Sequence, residues 1–324
     1  MTAAWIVGAG GLLGRAVAAA VDHRDDWKRV PVASLPWSDD DAFSDAARSG
    51  IRSLLHAAEP GATWAVVWVA GNAVTSTPQL ELDRELAQFR TFLAIVGTEA
   101  NAAGVASRGA VFYASSAGGV YSGSQHPPFT EASSTTPISP YGRFKLDAEH
   151  ALRAFTAEHG VAGLSGRIAN LYGPGQRLDK MQGLISHLAR AQITPATVSI
   201  YVSLDTMRDY IYVDDCAQLI LDAVDRLRSE PGAYVVKNIA SGRAVTIADL
   251  LGQFRIILKR PPVVLLGTSS AAALQAHDLR IGSVVWPELD ARTMTPLVVG
   301  IRSTLDDLLL GVQDRRTTPR PAAG

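Results

Sequence analysis

Short apolar runs alternate with stretches of helical periodicity through the first half of this chain. Trp5-Ile6-Val7 reads as a buried strand, after which Leu13, Val17, Ala20 and Val21 recur at helical spacing. Val30 to Ser34, Ala65 to Ala70 and Ala110 to Ala114 are further buried-strand segments. Between the last two, Leu82, Leu86, Phe89, Leu93 and Val96 mark one face of a long helix. Alternation of this kind predicts parallel strands joined by crossover helices, an α/β fold with a doubly wound parallel sheet. A later strand, Tyr234 to Ile239, precedes a helix opening at Thr246 with Asp249 three residues on, the spacing of a capping box. Its position predicts that the chain leaves the first domain and returns to it. The expected division is a first domain over 1–166 with a return strand near 234–241, and a smaller, interleaved C-terminal α/β domain over 167–313 less that strand. A disordered tail is expected over 314–324, where Pro319 and Pro321 fall.

Composition narrows the class. The 324 residues, 47% hydrophobic and 19% charged, are enough to bury a large core. A formal net charge of −1 argues against nucleic acid or an anionic membrane as the main partner. Cys216 is the only cysteine, so no internal disulfide forms and a reducing compartment is expected. Met1 to Gly8 run into an apolar strand with no basic start or cleavable apolar region. No stretch approaches the roughly 20 apolar residues of a membrane span. The expectation is a cytoplasmic enzyme. His126, His150 and His187 show no metal-ligand spacing, and no metal is expected.

The first strand is followed by Gly8-Ala9-Gly10-Gly11-Leu12-Leu13-Gly14 and then a helix. Residues without a β-carbon let the backbone approach a pyrophosphate closely, and the helix start supplies free N–H groups and the positive end of its dipole. The plain alternative is a tight turn that binds nothing. In this strand–turn–helix context the pattern reads as a dinucleotide site in a Rossmann-like fold. An acid usually ends the second strand and holds the adenosine ribose, but Val30 to Ser34 ends without one. Arg15 and Ser34 lean towards the 2′-phosphate of NADP. Two alternatives stay open: Arg15 as a solvated residue of the first helical turn, and a late acid from Asp39, Asp40 or Asp41, a run that also reads as a solvated helix start.

Further along, Ser139-Pro140-Tyr141-Gly142-Arg143-Phe144-Lys145 opens another helix. Tyr141 and Lys145, four apart, share one helical face. A cation beside a phenol favours the phenolate and suits acid–base transfer of a hydroxyl proton. Alone this spacing is common; here it follows a strand ending in Ser115-Ser116.

These pieces together resemble the extended short-chain dehydrogenase/reductase family, in particular its NAD-dependent epimerase/dehydratase group. The matching motifs, in order, are the Gly8/Gly11/Gly14 turn, Val69-Ala70-Gly71, Ser115 to Tyr121, Tyr141-x-x-x-Lys145, Arg167 to Gly175, and Arg208-Asp209-Tyr210-Ile211-Tyr212-Val213-Asp214-Asp215. The resemblance implies NAD or NADP against Gly8, Gly11, Gly14, Ala70, Gly71 and Lys145, with Tyr141 as catalytic acid/base tuned by Lys145. It implies a third catalytic hydroxyl four positions before Tyr121, where this chain has Ala117; Ser116, one step earlier, is the replacement, or else a strand-end serine bonded to backbone. The span from Ser34 to Ala65 is short for the family's helix and third strand, so one element is expected to be trimmed.

On the substrate side the resemblance carries Asn170 to the diphosphate region of a nucleotide sugar and Arg208 to the diphosphate itself, where a planar fork of donors fits two oxygens. An interdomain salt bridge is the alternative for Arg208. Arg177 and Arg280 are weaker candidates for the same cleft, and Asp214 and Asp215 read as N-caps of the apolar helix that follows. The implied activity is epimerisation of a nucleoside-diphosphate sugar, with hydride transfer at a hexose carbon, C4 first. An NADPH-dependent 4-keto-sugar reductase is the alternative; a 4,6-dehydratase is disfavoured because Gly118-Gly119 stand where its Asp-Glu pair would be. A third reading is a non-catalytic dinucleotide-sensing protein, supported by Ala117 and opposed by Tyr141 with Lys145. The resemblance also implies a homodimer built on helices near 82–104 and 141–159.

Overall fold

The computed structural model describes residues 1–176, 183–193, 197–267 and 276–317, with 312–317 described through their backbone alone. The N-terminal half runs β1 (Thr2–Val7), α1 (Leu12–Asp22), β2 (Trp27–Arg29), α2 (Asp40–Ala57), β3 (Thr63–Trp68), α3 (Gln79–Ala102), β4 (Gly109–Ser116), α4 (Ala117–Val120), α5 (Pro140–His159) and β5 (Ala162–Ile168). The remainder runs β6 (Asn170–Tyr172), α6 (Leu184–Ala191), β7 (Val198–Ile200), β8 (Met207–Tyr212), α7 (Val213–Leu227), β9 (Tyr234–Ile239), β10 (Ala244–Thr246), α8 (Ile247–Leu258), β11 (Val264–Leu266), β12 (Asp278–Leu279), α9 (Pro287–Asp290) and α10 (Leu297–Thr317).

The central sheet has the order β2-β1-β3-β4-β5-β9, and each neighbouring pair is parallel. Its strands are buried on both faces, so they read as continuous apolar runs. Side chains alternate across the pleat. Trp5, Val7, Trp64, Val66 and Trp68 pack with Phe43, Phe89 and Phe155 from α2, α3 and α5. Ala4, Ile6, Ala65 and Val67 pack on the opposite face with Val17 of α1 and Ile220 of α7. This is the expected doubly wound, Rossmann-like α/β architecture. The late strand β9 pairs in parallel with β5, and a second, smaller layer is built partly from the chain between them and partly from the segments after β9. In that layer β8 is bordered by β10 and β12 and also pairs with β6; Tyr172, Ile185, Leu188, Phe254 and Ile301 form its core. The capping box at Thr246 and Asp249 forms as expected.

Three expectations change, and the expected trimming of one element between 34 and 65 is met. Strand two is Trp27–Arg29, not Val30 to Ser34: Val30 N–H still bonds Ala4 O at 2.8 Å, but pairing with β1 ends at Arg29. The span 34–65 does hold a helix, α2, capped by Asp39, whose carboxylate accepts from Asp41 N and Ala42 N. The trimmed element is therefore a strand, and β2 is the sheet edge. Asp214 and Asp215 are not N-caps; Tyr212 holds that position, and Asp215 instead accepts from Thr295 N at 2.7 Å and Thr295 Oγ1 at 3.0 Å. Lastly, α10 continues to Thr317, past the expected start of the tail, whose remaining residues lie outside those described. Among the described residues no helix is long and apolar enough to cross a membrane.

Candidate functional site

The carboxyl ends of β1, β3, β4 and β5 open onto a long cleft whose far wall is the smaller layer, the usual place for ligands in such sheets. The glycine turn forms its floor. Gly8 has φ +95°, and a β-carbon there would lie 2.6 Å from the Ala70 backbone; one on Gly14 would lie 2.0 Å from Gly8 O. The turn thus packs directly on the Val69-Ala70-Gly71 segment and on itself. A β-carbon on Gly10, by contrast, would meet nothing within 4 Å, because Gly10 faces the open cleft. No side chain caps α1, and its first turn holds no acid, so its positive end remains available to an anion. These features fit the diphosphate of a dinucleotide.

Ser34 and Trp37 line the cleft, as do Ala70 and Gly71. Arg15 does not. Its guanidinium donates to Gly10 O and to Gly175 O, both at 2.5 Å, and so ties the glycine turn to the smaller layer. The cation behind the lean towards NADP is engaged elsewhere.

The chemical end is set by α5. Ser139 caps the helix by accepting from Gly142 N at 3.1 Å, and Pro140 pre-sets its first turn. Tyr141 and Lys145 then fall one turn apart on the face that lines the cleft. Lys145 is buried; its ammonium donates to Tyr113 OH at 3.2 Å and Ala114 O at 3.1 Å, and lies 5.6 Å from the Tyr141 ring centroid. Burial works against its charge, yet Tyr113, Tyr141 and Glu85 outweigh it and hold the lysine above its ordinary range. Burial also pushes the Tyr113 hydroxyl up, against the opposing pull of Lys145. Sequence reasoning missed Tyr113, which reads only as an apolar strand residue. Among the described residues the Tyr141 hydroxyl has no hydrogen-bond partner in the protein.

Ser116 lines the cleft and caps α4, its Oγ accepting from Gly119 N at 3.2 Å. Ala117 is fully buried in the core. The hydroxyl that reaches the cleft is therefore at 116, and an added hydroxyl at 117 would point into apolar packing. Ser116→Ala is expected to lower kcat while Ala117→Ser in that background fails to restore it. The buried hydroxyl costs about 1–3 kcal/mol of stability, readable in urea unfolding.

Beneath this end, Arg167 and Glu149 form a buried pair, Nη2 to Oε2 at 2.7 Å, with Ser115 Oγ donating to Glu149 at 2.6 Å and Arg167 Nη1 donating to Tyr121 OH at 2.8 Å. Across the cleft stands Arg208. It is 7% exposed, donates to Met207 O at 2.8 Å, and has no salt bridge among the described residues. Burial holds its guanidinium below the ordinary range. Asn170 joins it on the cleft wall, its amide donating to Asp209 O at 2.9 Å. Asp209 pins β8 in place by accepting from Ser241 N and Oγ, and burial pushes its carboxyl up. Arg280 is turned to Asp278 at 2.8 Å, and Arg177 lies outside the described residues.

The sequence model of the NAD dependent epimerase/dehydratase family matches residues 4–237. The chain belongs to that family. Among its relatives, the dTDP-4-dehydro-6-deoxyglucose reductase of Escherichia coli is 32% identical over 154 residues, 48% of this chain and 47% of the relative. The UDP-glucose 4-epimerase of Streptomyces lividans is 29% identical over 158 residues, 45% of this chain and 47% of the relative. The chain thus spans about half the length of these curated family members. Among solved structures, MoeE5 in complex with UDP-glucuronic acid and NAD superposes with a TM-score of 0.76 at 20% identity, over 96% of this chain and 100% of that one, which shows the shared family fold.

Proposed function

We propose that this protein is an NAD(P)-dependent enzyme of the extended short-chain dehydrogenase type that epimerises a nucleoside-diphosphate hexose, at C4 in the first instance. The observation that carries this reading is the composition of one cleft. A Tyr–Lys pair on α5 shares the cleft with an uncapped glycine-turn helix and a buried arginine that has no salt bridge among the described residues. Gly8, Gly11 and Gly14 with Ala70 and Gly71 hold the dinucleotide, and Lys145 binds its nicotinamide ribose. A bound nicotinamide supplies hydride exchange with the sugar carbon.

The chain's own residues do the rest. The Tyr141 phenolate, favoured by the Lys145 ammonium, takes the hydroxyl proton as the carbonyl forms, holds it as the phenol, and returns it when the carbonyl is reduced. Ser116 orients the same sugar oxygen. Arg208 and Asn170 hold the diphosphate end, so that the sugar is presented to Tyr141 rather than to water. Arg208→Met is expected to raise KM for the nucleotide sugar about tenfold or more, with a smaller effect on kcat. That corresponds to loss of a charge-assisted contact of about 1.5–3 kcal/mol.

The alternative, an NADPH-dependent reductase of a 4-keto sugar, is favoured by the absence of an acid at the end of β2. The position of Arg15, away from the cleft, favours the epimerase. Purified protein assayed with UDP- and dTDP-hexoses separates the two: retained NAD with Tyr141-dependent interconversion supports epimerisation, and consumption of added NADPH supports reduction. No Tyr141-dependent turnover with any sugar would leave a dinucleotide-sensing protein. We also propose a homodimer through α3 and α5, to be checked by sedimentation.

A further inference from the structure

The end of β4 offers the Lys145 ammonium acceptors from two consecutive residues. Nζ donates to Tyr113 OH at 3.2 Å and to Ala114 O at 3.1 Å. Three rings stand around it, with the centroids of Tyr113, Phe144 and Tyr141 at 5.0, 5.2 and 5.6 Å. The face of an aromatic ring favours a cation, but a hydrogen bond also fixes where the N–H points. Glu85 of α3 lines the same cleft, yet it accepts from Asn72 N at 3.1 Å. Among the described residues no carboxylate forms a salt bridge with Lys145, so its directional contacts are the two that β4 supplies.

Packing alone does not call for the Tyr113 hydroxyl. The residue is 2% exposed and is not part of the cleft lining. Its ring packs on Phe89 of α3, with centroids 4.7 Å apart. Phenylalanine would fill that space without taking a hydroxyl out of water, a transfer that is unfavourable unless the group is bonded. The bond it makes is to the lysine. Lysine carries its charge on a flexible stem with three N–H donors, and on its own it orients none of them. Strand β4 engages two, which leaves one for the cleft.

On the dinucleotide reading above, we propose that Tyr113 is a positioning residue: its hydroxyl, with Ala114 O, locks the Lys145 ammonium so that the remaining N–H is presented to the nicotinamide ribose and Tyr141. From beneath the cleft the hydroxyl touches neither ligand nor reacting atom. It acts by removing the ammonium's freedom to turn away, so that the cation is already in place when the dinucleotide arrives.

The test is a double-mutant cycle on dinucleotide affinity, read by calorimetry with NAD+ and NADP+ on protein stripped of dinucleotide. It compares wild type, Tyr113→Phe, Lys145→Met and the double variant. Tyr113→Phe keeps the ring and its contact with Phe89 and removes only the acceptor. The expected result is a loss of about three- to tenfold in affinity, the size of one hydrogen bond. A fall in kcat by a similar factor accompanies it, with KM for the nucleotide sugar unchanged. In the Lys145→Met background the same substitution alters affinity by less than about twofold, because the group it acts through is gone. Wild-type affinity in Tyr113→Phe overturns the proposal. So does an equal loss in both backgrounds, which would make Tyr113 a packing residue independent of the lysine. Wild-type protein that binds neither dinucleotide would instead overturn the dinucleotide reading, and this proposal with it.

Discussion

Tyr141→Phe lowers kcat by about 10²–10⁴ while dinucleotide affinity and unfolding midpoint stay near wild type; this is the largest functional effect expected of any single substitution. The ring packs against Gly119 and Phe144, and phenylalanine keeps those contacts. The hydroxyl makes no hydrogen bond to the described protein, so its removal leaves no orphaned partner. On the proposed function, the substitution removes the proton carrier alone. Steady-state kinetics on the sugar identified by the turnover screen, alongside NAD titration, provides the check. Activity within a few-fold of wild type would remove Tyr141 from the chemistry.

Glu149→Ala is expected to cost about 3–5 kcal/mol of folding stability, the usual penalty for leaving a buried charge uncompensated. Glu149 and Arg167 are 3% and 7% exposed, and Arg167 donates to Glu149 through both Nε and Nη2. Burial opposes the arginine's charge, but Glu149 outweighs it and raises the guanidinium above its ordinary range. Without the carboxylate, Arg167 stays charged in the core, and Ser115 loses its acceptor at the strand end that carries Ser116. The double variant Glu149→Leu/Arg167→Met should recover much of the loss, because paired removal leaves no lone charge. Urea unfolding of the three proteins decides the matter: a loss below about 1 kcal/mol in the single variant would show that water or another group compensates Arg167.

What was legible in the sequence was what neighbouring residues encode. The periodicity of α1 and α3, the capping box of α8 and the Tyr141–Lys145 face are all local patterns, and they form as read. The return strand was legible because β9 is a continuous β-type run. Strand two differs because Val30 to Ser34 is apolar in sequence while pairing with β1 ends at Arg29, before that run. Helix α2 carried a readable stripe in Phe43, Ala47, Ile51 and Leu54, obscured by a polar start and by Gly50. Arg15 was misread for a different reason. Its acceptor on Gly175 lies 160 residues away, and no local pattern announces such a contact. Glu85, Tyr113 and Glu149 were likewise invisible, since each acquires its role only when α3, β4 and α5 are brought together.

That same arginine has a mechanical consequence. Gly175 N–H, next to the carbonyl that Arg15 holds, donates to Asp307 of α10 at 2.7 Å. One unbroken line of polar contacts therefore runs from the last helix, through the Gly173–Gly175 turn, to the nucleotide cradle at the opposite end of the chain. A displacement of the Gly173–Gly175 turn is therefore transmitted through Arg15 to the glycine turn after β1, and a fixed glycine turn restrains it in return.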